Sequence, residues 1–577
     1  MSNASFNRYY QDELLKLRDL SVEFSRANPA LAPMLSGPSS DPDVERLLEG
    51  VAFLNGLTRQ KLDDEFPELV QELANQLFPH YLRPVPASTL MQFEPRGALS
   101  EPVQVRAGTE LASAPVDGTR CVFRTSEPLR VDPLVLLKSE IVESVGAAPV
   151  LRLDFELRGL DLSQWNASAV RLFLGASLAD ACNLYLLLMT RVSAVEIGAG
   201  AGPRTSLGVR ALRASGFDHP LLSYPDHAFP GFRLIQEYFA LPEKLLFVSL
   251  EGLERWSSGR KGERFSVWLT LTDVPEWMPE LREQSLRLHV VPALNLFARA
   301  AEPIQHHHRV SEYRVRPESA SPGHYQIFSV DRVSGWVQGS NVEQPYALFG
   351  RQRPGESDND SYRLMHRPAT VGRGQDLFIS LATPPGRPLI PQTLSLQLQC
   401  TNNELPERLK LGEIDQPTST SPERLAFRNI RAVTPQLDAP ANEQMLWRMV
   451  SHISLNFLSL ANADNLKTLL GLYIFSDRQD HGREIANRHR VAGVEALTAE
   501  AETRLIGRRM LSGQKLALRC RSSHFASVGS LYLFGCVIER FLGDYAAINA
   551  YTRLELRDSD TGVAFEWPAR LGRQCLL

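Results

Sequence analysis

The sequence lacks the short motifs that identify nucleotide-dependent and serine-hydrolase chemistry. It contains no GxxxxGK[ST] phosphate loop and no GxSxG nucleophile elbow, which bind phosphate groups or present an activated serine. A glycine-rich stretch, EIGAGAGPRTSLG (196–208), lacks the third glycine at Rossmann spacing, and Pro203 stands where a helix would begin. We therefore predict a hairpin loop there.

Cysteine is scarce, and its spacing supports neither a disulfide framework nor a zinc site. No two cysteines form a CxxC pair, and the chain is too long for six thiols to stabilise it as a small disulfide-rich domain would be. We predict buried, reduced thiols. The cysteines are Cys121, Cys182, Cys400, Cys520, Cys536 and Cys575.

Neither charge dominates, and long apolar runs are missing. The 577 residues include 62 basic and 66 acidic side chains, a net charge of -4, whereas nucleic-acid binders usually carry a basic field. Apolar residues interrupt the densest basic run, at 504–521, so we interpret it as a solvated face.

The N-terminus lacks a signal-peptide core, and the longest apolar run, LYLLLMT (184–190), is too short to cross a bilayer. We expect a cytoplasmic protein without nucleic acid and without direct membrane insertion.

The length and the hydrophobic pattern indicate a multi-domain α+β fold. We predict an N-terminal helical region (1–85), a β-rich domain (86–300) and a second β-rich domain (301–405). A proline-rich linker (406–444) and a C-terminal mixed α/β domain (445–577) follow.

The N-terminal helices carry more apolar surface than a surface helix needs. Tyr10, Leu14 and Leu17 recur at spacings of four and three. In DPDVERLLEGVAFLNGL, the residues Val44, Leu47, Val51 and Leu54 form a seam, and neighbouring apolar residues widen it. We expect this helix to be covered on more than one side.

The period changes from helical to strand spacing after LFPHYLRPVPA (77–87). Prolines there stop the helix and stiffen the exit, so we interpret the stretch as a rigid elbow, with Tyr81 and Leu82 holding the corner. Beyond it, VLRLDFELRG, FSVWLTLTDV, LRLHVV and LSLQLQC alternate apolar and polar residues, which predicts half-buried antiparallel strands. LIQEYFALPEKLLF (234–247) is interpreted as a packed segment, and LYLFGCVIERFLGDYAAINA (531–550) as a helix.

The strongest candidate for metal chemistry is the run QHHHR. In a strand, His306 and His308 would share a face, and Glu312 or His324 could supply a third ligand for zinc or nickel. Three adjacent histidines are more often polar surface, and we expect no catalytic, cofactor or metal site. The alternative is a hydrolytic or metal-dependent enzyme centred on His306 and His308.

Several blocks in the chain resemble the TssF family of type VI secretion baseplate subunits. They begin with RYYQDELLKLRDLSVEFSRANPALAPML and continue through FPHYLRPVPA, LIQEYFALPEKLLFVSL, PALNLFARAAEPI, LQCTNNELP, LWRMVSHISLNFLSL and YAAINAYTRLEL. They follow the order of the family over nearly the whole chain. Phe78 and Ala87 stand where the family motif usually carries tyrosine and serine, so a role for those hydroxyls is in doubt here.

The resemblance implies a structural protein of a contractile injection machine, not an enzyme. Two copies would join one TssG-like subunit in a baseplate wedge at the inner face of the cytoplasmic membrane. The wedge would contact a TssE-like sheath-initiating subunit, a TssK-like adaptor and a VgrG-like spike. A wedge protein of a phage-tail baseplate is the related alternative. Two copies in non-equivalent places would need a joint, which we expect at 405–444.

We expect the partner interface to draw on apolar residues of the helical segments and the elbow. The candidates are Tyr10, Leu14, Leu47, Leu54, Phe78, Tyr81, Trp447 and Phe457.

Overall fold

The chain forms two compact units in a computed structural model. One unit comprises Met1–Gln76 and Asn442–Val450, and the other Leu77–Ala441 and Ser451–Leu577. The structure describes residues 10, 11, 14, 15, 17, 43, 46–55, 72, 74, 75, 78–143, 145–200, 202–225, 228–257, 259–319, 321–337, 342–349, 360–369, 374–382, 390–439, 462–475, 481–506, 509–546 and 550–572.

The described residues of the first unit are helical, as the apolar spacing predicts. Tyr10, Leu14 and Leu17 lie in helix, and 46–55 is a continuous helical stretch. Ala52 and Ala74 are buried. The predicted helix at 445–460 lies outside the described residues.

The second unit begins with a six-stranded antiparallel sheet. Met91 and Phe93 of one strand pack with Phe123 and Phe427 of two others in one apolar core. In spatial order the strands are β24 (Gln416–Pro417), β3 (Glu110–Val116), β4 (Thr119–Thr125), β15 (Val290–Leu294), β1 (Ser88–Pro95) and β25 (Leu425–Asn429). A two-stranded sheet adjoins, made of β2 (Val103–Val105) and β5 (Leu129–Val131).

The predicted proline-rich linker is wrong for the residues described up to 439. β25 pairs with β1 along Met91–Pro95, and β24 pairs with β3. Both are edge strands, and Pro417 lies in β24. Proline is tolerated at sheet edges and in turns because no ladder hydrogen bond is needed from its nitrogen. Pro417 thus lies in an edge strand of the sheet, and the joint expected at 405–444 loses its structural basis in the described residues.

Two further antiparallel sheets pack face to face. Leu153 and Phe155 of one and Leu172 and Val248 of the other enclose a common apolar space. The five-stranded sheet consists of β10 (Thr205–Ser206), β9 (Val192–Gly198), β13 (Arg264–Leu271), β7 (Val150–Leu157) and β6 (Leu134–Val142). The four-stranded sheet consists of β11 (Leu212–Ala214), β12 (Phe247–Glu251), β8 (Ala169–Leu174) and β14 (Leu286–Leu288).

These sheets confirm most of the strand predictions. β7 alternates between buried and half-buried side chains along its length, and β9 and β10 form the hairpin predicted from the glycine-rich stretch. LRLHVV is the exception, since His289 divides it between β14 and β15, which belong to different sheets.

An eight-stranded sheet occupies nearly the range expected for the second β-rich domain. Val333, Leu394, Leu396 and Leu398 lie in its core. It belongs to the same compact unit as the sheets before it. Its strands are β16 (Phe297–Ala300), β23 (Gln392–Thr401), β19 (Gln326–Val337), β20 (Glu343–Leu348), β21 (Ser361–Pro368), β22 (Gln375–Ala382) and β18 (Tyr313–Arg314), with β17 (Ile304–His306) beside β23.

The C-terminal part combines a sheet with helices. Its strands are β26 (Val494–Ile506), β27 (Arg509–Cys520), β28 (Tyr551–Asp558), β29 (Ala564–Glu566) and β30 (Arg570–Leu571). The α-helices of the second unit are α1 (Leu178–Thr190), α2 (Pro230–Ala240), α3 (Ala463–Leu472), α4 (His481–Ala492) and α5 (Val528–Tyr545). Short 3-10 helices lie at Pro79–Leu82, Val209–Ala211, Pro242–Leu245, Leu253–Arg255, Pro322–His324, Leu405–Arg408 and Ser522–His524.

Helix α5 packs against α1 and α2 from the middle of the chain. It begins three residues before the predicted start and ends at Tyr545, where Ala546 turns to extended backbone. Tyr532 of α5 contacts Tyr185 of α1, with 6.1 Å between ring centroids. The C-terminal part therefore shares its helical layer with the β-rich middle.

The described cysteines behave as the sequence predicts. All five are buried and unpaired, while Cys575 lies outside the described residues. Burial raises the pKa of Cys121 to about 11 and that of Cys182 to about 12, so these thiols stay protonated near neutral pH. Separately, none of the helices in the described part of the chain is long and apolar enough to cross a membrane.

Candidate partner-binding surfaces

The helical stretch 46–55 presents an apolar stripe to solvent. Leu47, Val51 and Leu54 follow one another at spacings of four and three, which places them on one helical face. Leu47 is 68% exposed, Val51 37% and Leu54 63%, whereas Ala52 is fully buried. We call these three residues the apolar stripe. Monomeric proteins rarely expose such contiguous apolar surface without a function for it.

The other predicted interface residues have different surroundings. Tyr10, Leu14 and Phe78 are half-buried, and Tyr81 is fully buried. Trp447 and Phe457 lie outside the described residues. Only Leu47 and Leu54 among the described candidates expose most of their side chains, so they are the ones that a partner could cover directly.

The described part of the predicted elbow, residues 78–87, forms a turn that leads from a short helix into a strand. Pro79–Leu82 make a 3-10 helix, Arg83 returns to extended backbone, and Val85 bridges to Leu437 before β1 begins. Arg83 places its guanidinium 5.3 Å from the ring centre of Phe328. The proline-bounded turn thus leads directly into the six-stranded sheet.

Aromatic rings surround the elbow. His80 stacks on Tyr224 at 4.2 Å between centroids, and its Nε2 lies 3.1 Å from the Tyr473 hydroxyl oxygen. Tyr81 meets Tyr473 and Phe475 edge to face. Burial raises the pKa of the Tyr81 and Tyr473 hydroxyls well above the usual range. These contacts make the corner a packed aromatic cluster, in agreement with the prediction that Tyr81 holds it.

A buried ion pair lies within the segment LIQEYFALPEKLLF. The Lys244 ammonium donates to Glu237 Oε2 at 2.7 Å, and the two side chains are 4% and 2% exposed. Glu237 Oε1 also accepts hydrogen bonds from the backbone N–H groups of Leu221 and Leu222, at 2.7 and 2.9 Å. One carboxylate therefore fixes α2, the 3-10 turn after it and a separate loop. Sequence reasoning predicted the packing but missed this pair, because Lys244 lies beyond the end of α2 and no local pattern marks the two charges as buried.

The histidines of the metal hypothesis are close together, but their expected third ligands are engaged elsewhere. The rings of His306 and His308 are 4.0 Å apart between centroids, and His306 Nδ1 lies 3.1 Å from the Tyr313 hydroxyl. Both Glu312 oxygens accept from Arg367, at 2.5 and 2.9 Å. His324 Nδ1 lies 2.7 Å from Thr119 Oγ1. Within the described residues, no group of three or more potential ligand side chains is gathered for a metal ion.

His289 lies between two strands of different sheets, and its backbone conformation is unusual for a residue other than glycine. It links β14 to β15 with a φ of 56°, a left-handed conformation that few non-glycine residues adopt. It is buried, and that burial lowers the pKa of its imidazole to about 4, although nearby Asp132 opposes the shift. The side chain is therefore neutral at physiological pH.

Removing this imidazole should reduce the acid sensitivity of the fold. Its pKa is near 6.5 in the unfolded chain and about 4 in the folded one. Because the unfolded state binds the proton more tightly, stability falls as pH falls from 6.5 to 4. Asparagine tolerates a left-handed backbone. We therefore expect His289→Asn to lose about 2 kcal/mol less folding stability than the unsubstituted chain when the pH is lowered. Urea unfolding at pH 7 and pH 4.5 measures it. The exposed His307→Asn is the control; equal pH dependence in both variants would contradict the assignment.

Comparison with known protein families gives a match over almost the entire chain. A family model described as "Type VI secretion system, TssF" matches residues 2–574. The "Type VI secretion system component TssF1" of Pseudomonas aeruginosa is 29% identical over an alignment 626 positions long, which covers 99% of each chain.

Two solved structures are similar in fold. A chain in the structure of the type VI secretion system TssK-TssF-TssG baseplate subcomplex superposes with a TM-score of 0.77 at 29% identity, covering 91% of this chain and 98% of that one. A chain in the baseplate complex from the type VI secretion system gives a TM-score of 0.61 at 25% identity, covering 99% and 100%.

Proposed function

This chain belongs to the TssF family of the type VI secretion system, and we propose that it acts as a wedge subunit of the baseplate. The observation that carries this is similarity over nearly its whole length to a chain from a TssK-TssF-TssG baseplate subcomplex. Its task is mechanical: it joins proteins and transmits force, and we propose no catalytic step for it.

We propose that two copies of the chain bind one TssG-like subunit, through a surface that includes the apolar stripe. An exposed row of leucine and valine on a helix is suited to packing against helices of another chain. Exposure of Leu47 and Leu54 supports this position, because burial of such side chains supplies much of the free energy of association. Tyr10 and Leu14, which are half-buried in the same unit, would lie at the margin of that contact, and the half-buried Phe78 of the second unit would add a separate contact.

The remaining partners follow from membership of the family. We propose that the wedge binds a TssK-like adaptor, seats a TssE-like subunit at the base of the sheath and surrounds a VgrG-like spike. It would do so at the inner face of the cytoplasmic membrane. The packed cores of the six-stranded and eight-stranded sheets are compatible with such a role, because close-packed protein interiors have low compressibility and transmit strain.

The stripe is tested by placing a charge on it. Leu54→Asp should weaken binding to the TssG-like chain at least about thirty-fold, because an unpaired carboxylate would be buried at the interface. Folding should be nearly unchanged, since the position is 63% exposed in the chain alone. Biolayer interferometry on purified chains measures the affinity, and thermal melting checks the fold.

The matched control is Leu411→Asp, a leucine that is also 63% exposed but lies outside the stripe. It should bind the TssG-like chain as the unsubstituted chain does. Wild-type affinity in Leu54→Asp, or an equal loss in both variants, would remove the stripe from the interface.

A further inference from the structure

A cavity of about 240 Å³ lies on the face of the four-stranded sheet that points away from the sandwich core. On β12, Val248 and Leu250 face the sandwich, whereas Ser249 between them lines the cavity. Leu129 and Leu288 form apolar parts of its wall. The cavity therefore sits where three sheets meet, and its wall is partly apolar and partly polar.

The charged groups of the wall are already paired. Arg130 and Asp132 lie 3.1 Å apart, and Asp132 also accepts a hydrogen bond from the Trp165 indole at 2.9 Å. Arg171 donates from Nη1 to Glu127 at 2.6 Å, while its buried Nε has no hydrogen-bond partner. Asp218 is held by Arg213, at 2.7 and 2.8 Å. A charged ligand would find no unpaired group of opposite charge in the wall. No new ion pair would therefore offset the cost of removing its own charge from water.

Neutral hydrogen-bonding groups, in contrast, are left available. Ser215 is only 4% exposed, and its Oγ has no hydrogen-bond partner. Ser249 and the imidazole of His289 also line the cavity. A buried hydroxyl without a partner is costly and is rarely retained without a reason. His289 also has a left-handed backbone, a conformation that clusters at ligand contacts.

The size of the cavity indicates what could fill it. Sites for drug-sized ligands usually span about 300–1,000 Å³, so 240 Å³ is small for a metabolite and suits one large side chain. Interface anchors are typically tyrosine, tryptophan or arginine inserted into such pockets. Arginine is disfavoured by the paired charges. Tyrosine matches both the apolar wall and the free hydroxyl and imidazole, because its own hydroxyl donates and accepts.

We propose that this cavity is an anchor site for a tyrosine side chain of a partner chain. The idea rests on the proposed function, in that the chain is taken to work by binding other proteins. The phenol ring would lie against Leu129 and Leu288, with its hydroxyl at Ser215 and His289.

The side-chain analogue p-cresol tests the site without any partner chain. Saturation-transfer and titration NMR on the full-length chain should give a dissociation constant of about 1 mM for p-cresol. Toluene, which lacks the hydroxyl, should bind at least about fivefold more weakly. Ser215→Ala should weaken p-cresol binding about fivefold, and Ser249→Leu, which fills the space, should abolish it.

Ser530→Ala removes a serine that is equally buried but lies on α5, and it should leave p-cresol binding unchanged. The site is overturned if p-cresol does not bind, if Ser215→Ala binds it as tightly as wild type, or if methylguanidinium binds better. Ser215→Ala keeps the test decisive if Ser249→Leu does not fold. A failure here leaves assembly with the TssG-like chain intact, whereas a failure of assembly leaves p-cresol binding intact, so the two proposals fail separately.

Discussion

Glu237→Ala should destabilise the second unit by about 4 kcal/mol. The substitution leaves the Lys244 ammonium buried without its carboxylate, and breaking a buried pair in this way typically costs about 3–5 kcal/mol. It also removes the acceptor for the backbone N–H groups of Leu221 and Leu222. Urea unfolding measures the total, and hydrogen exchange at Leu221 and Leu222 reports the local loss.

The double variant Glu237→Gln with Lys244→Met separates charge from shape. Glutamine can still accept from the two backbone groups, and methionine removes the buried charge, so more than half of the lost stability should return. Glu280→Ala, from an ion pair in which both side chains are 77% exposed, should have no measurable effect. If Glu237→Ala is as stable as wild type, the pair does not hold this region together.

Gly529→Ala should cost about 3 kcal/mol, because α5 and α1 touch through their backbones at this point. A Cβ there would lie 2.2 Å from the carbonyl oxygen of Cys182 and 2.4 Å from the nitrogen of Asn183. Neither atom can rotate away, so the helices would have to separate. The loss should be visible as a lower melting temperature and as faster exchange along both helices.

Gly471→Ala is the matched control for that substitution. Gly471 also lies in a helix, α3, but a Cβ there would meet nothing within 4 Å. Alanine is the better helix former, so this variant should gain about 0.5–1 kcal/mol. Equal destabilisation in both variants would show that close helix contact is not the reason Gly529 matters.

Local patterns in the sequence predicted local structure well. The alternation in VLRLDFELRG became β7, with buried residues at the predicted positions. The prolines at 77–87 produced the elbow, because proline restricts its own backbone and that of its neighbour wherever it stands. The apolar seam was predicted to be covered, but Leu47 and Leu54 are exposed in the single chain, so their burial by a partner stays a prediction.

Features that depend on distant residues could not be predicted. Proline enrichment at 406–444 looks like a linker, yet β25 pairs with β1 more than three hundred positions earlier. The same composition suits a linker and a sheet edge, and only the partner strand decides between them. The cavity beside the four-stranded sheet could not be predicted either. Ser215, Ser249 and His289 are separate in sequence, and no local pattern brings them to one wall.

We propose above that this chain is a structural subunit and that two copies of it assemble with one TssG-like partner. Co-expression of the full-length chain with that partner, followed by native mass spectrometry, tests it directly. We expect one species that contains two copies of this chain and one of the partner. Leu54→Asp should deplete that species, and Leu411→Asp should not. A chain that remains a stable monomer in the presence of the partner would contradict it.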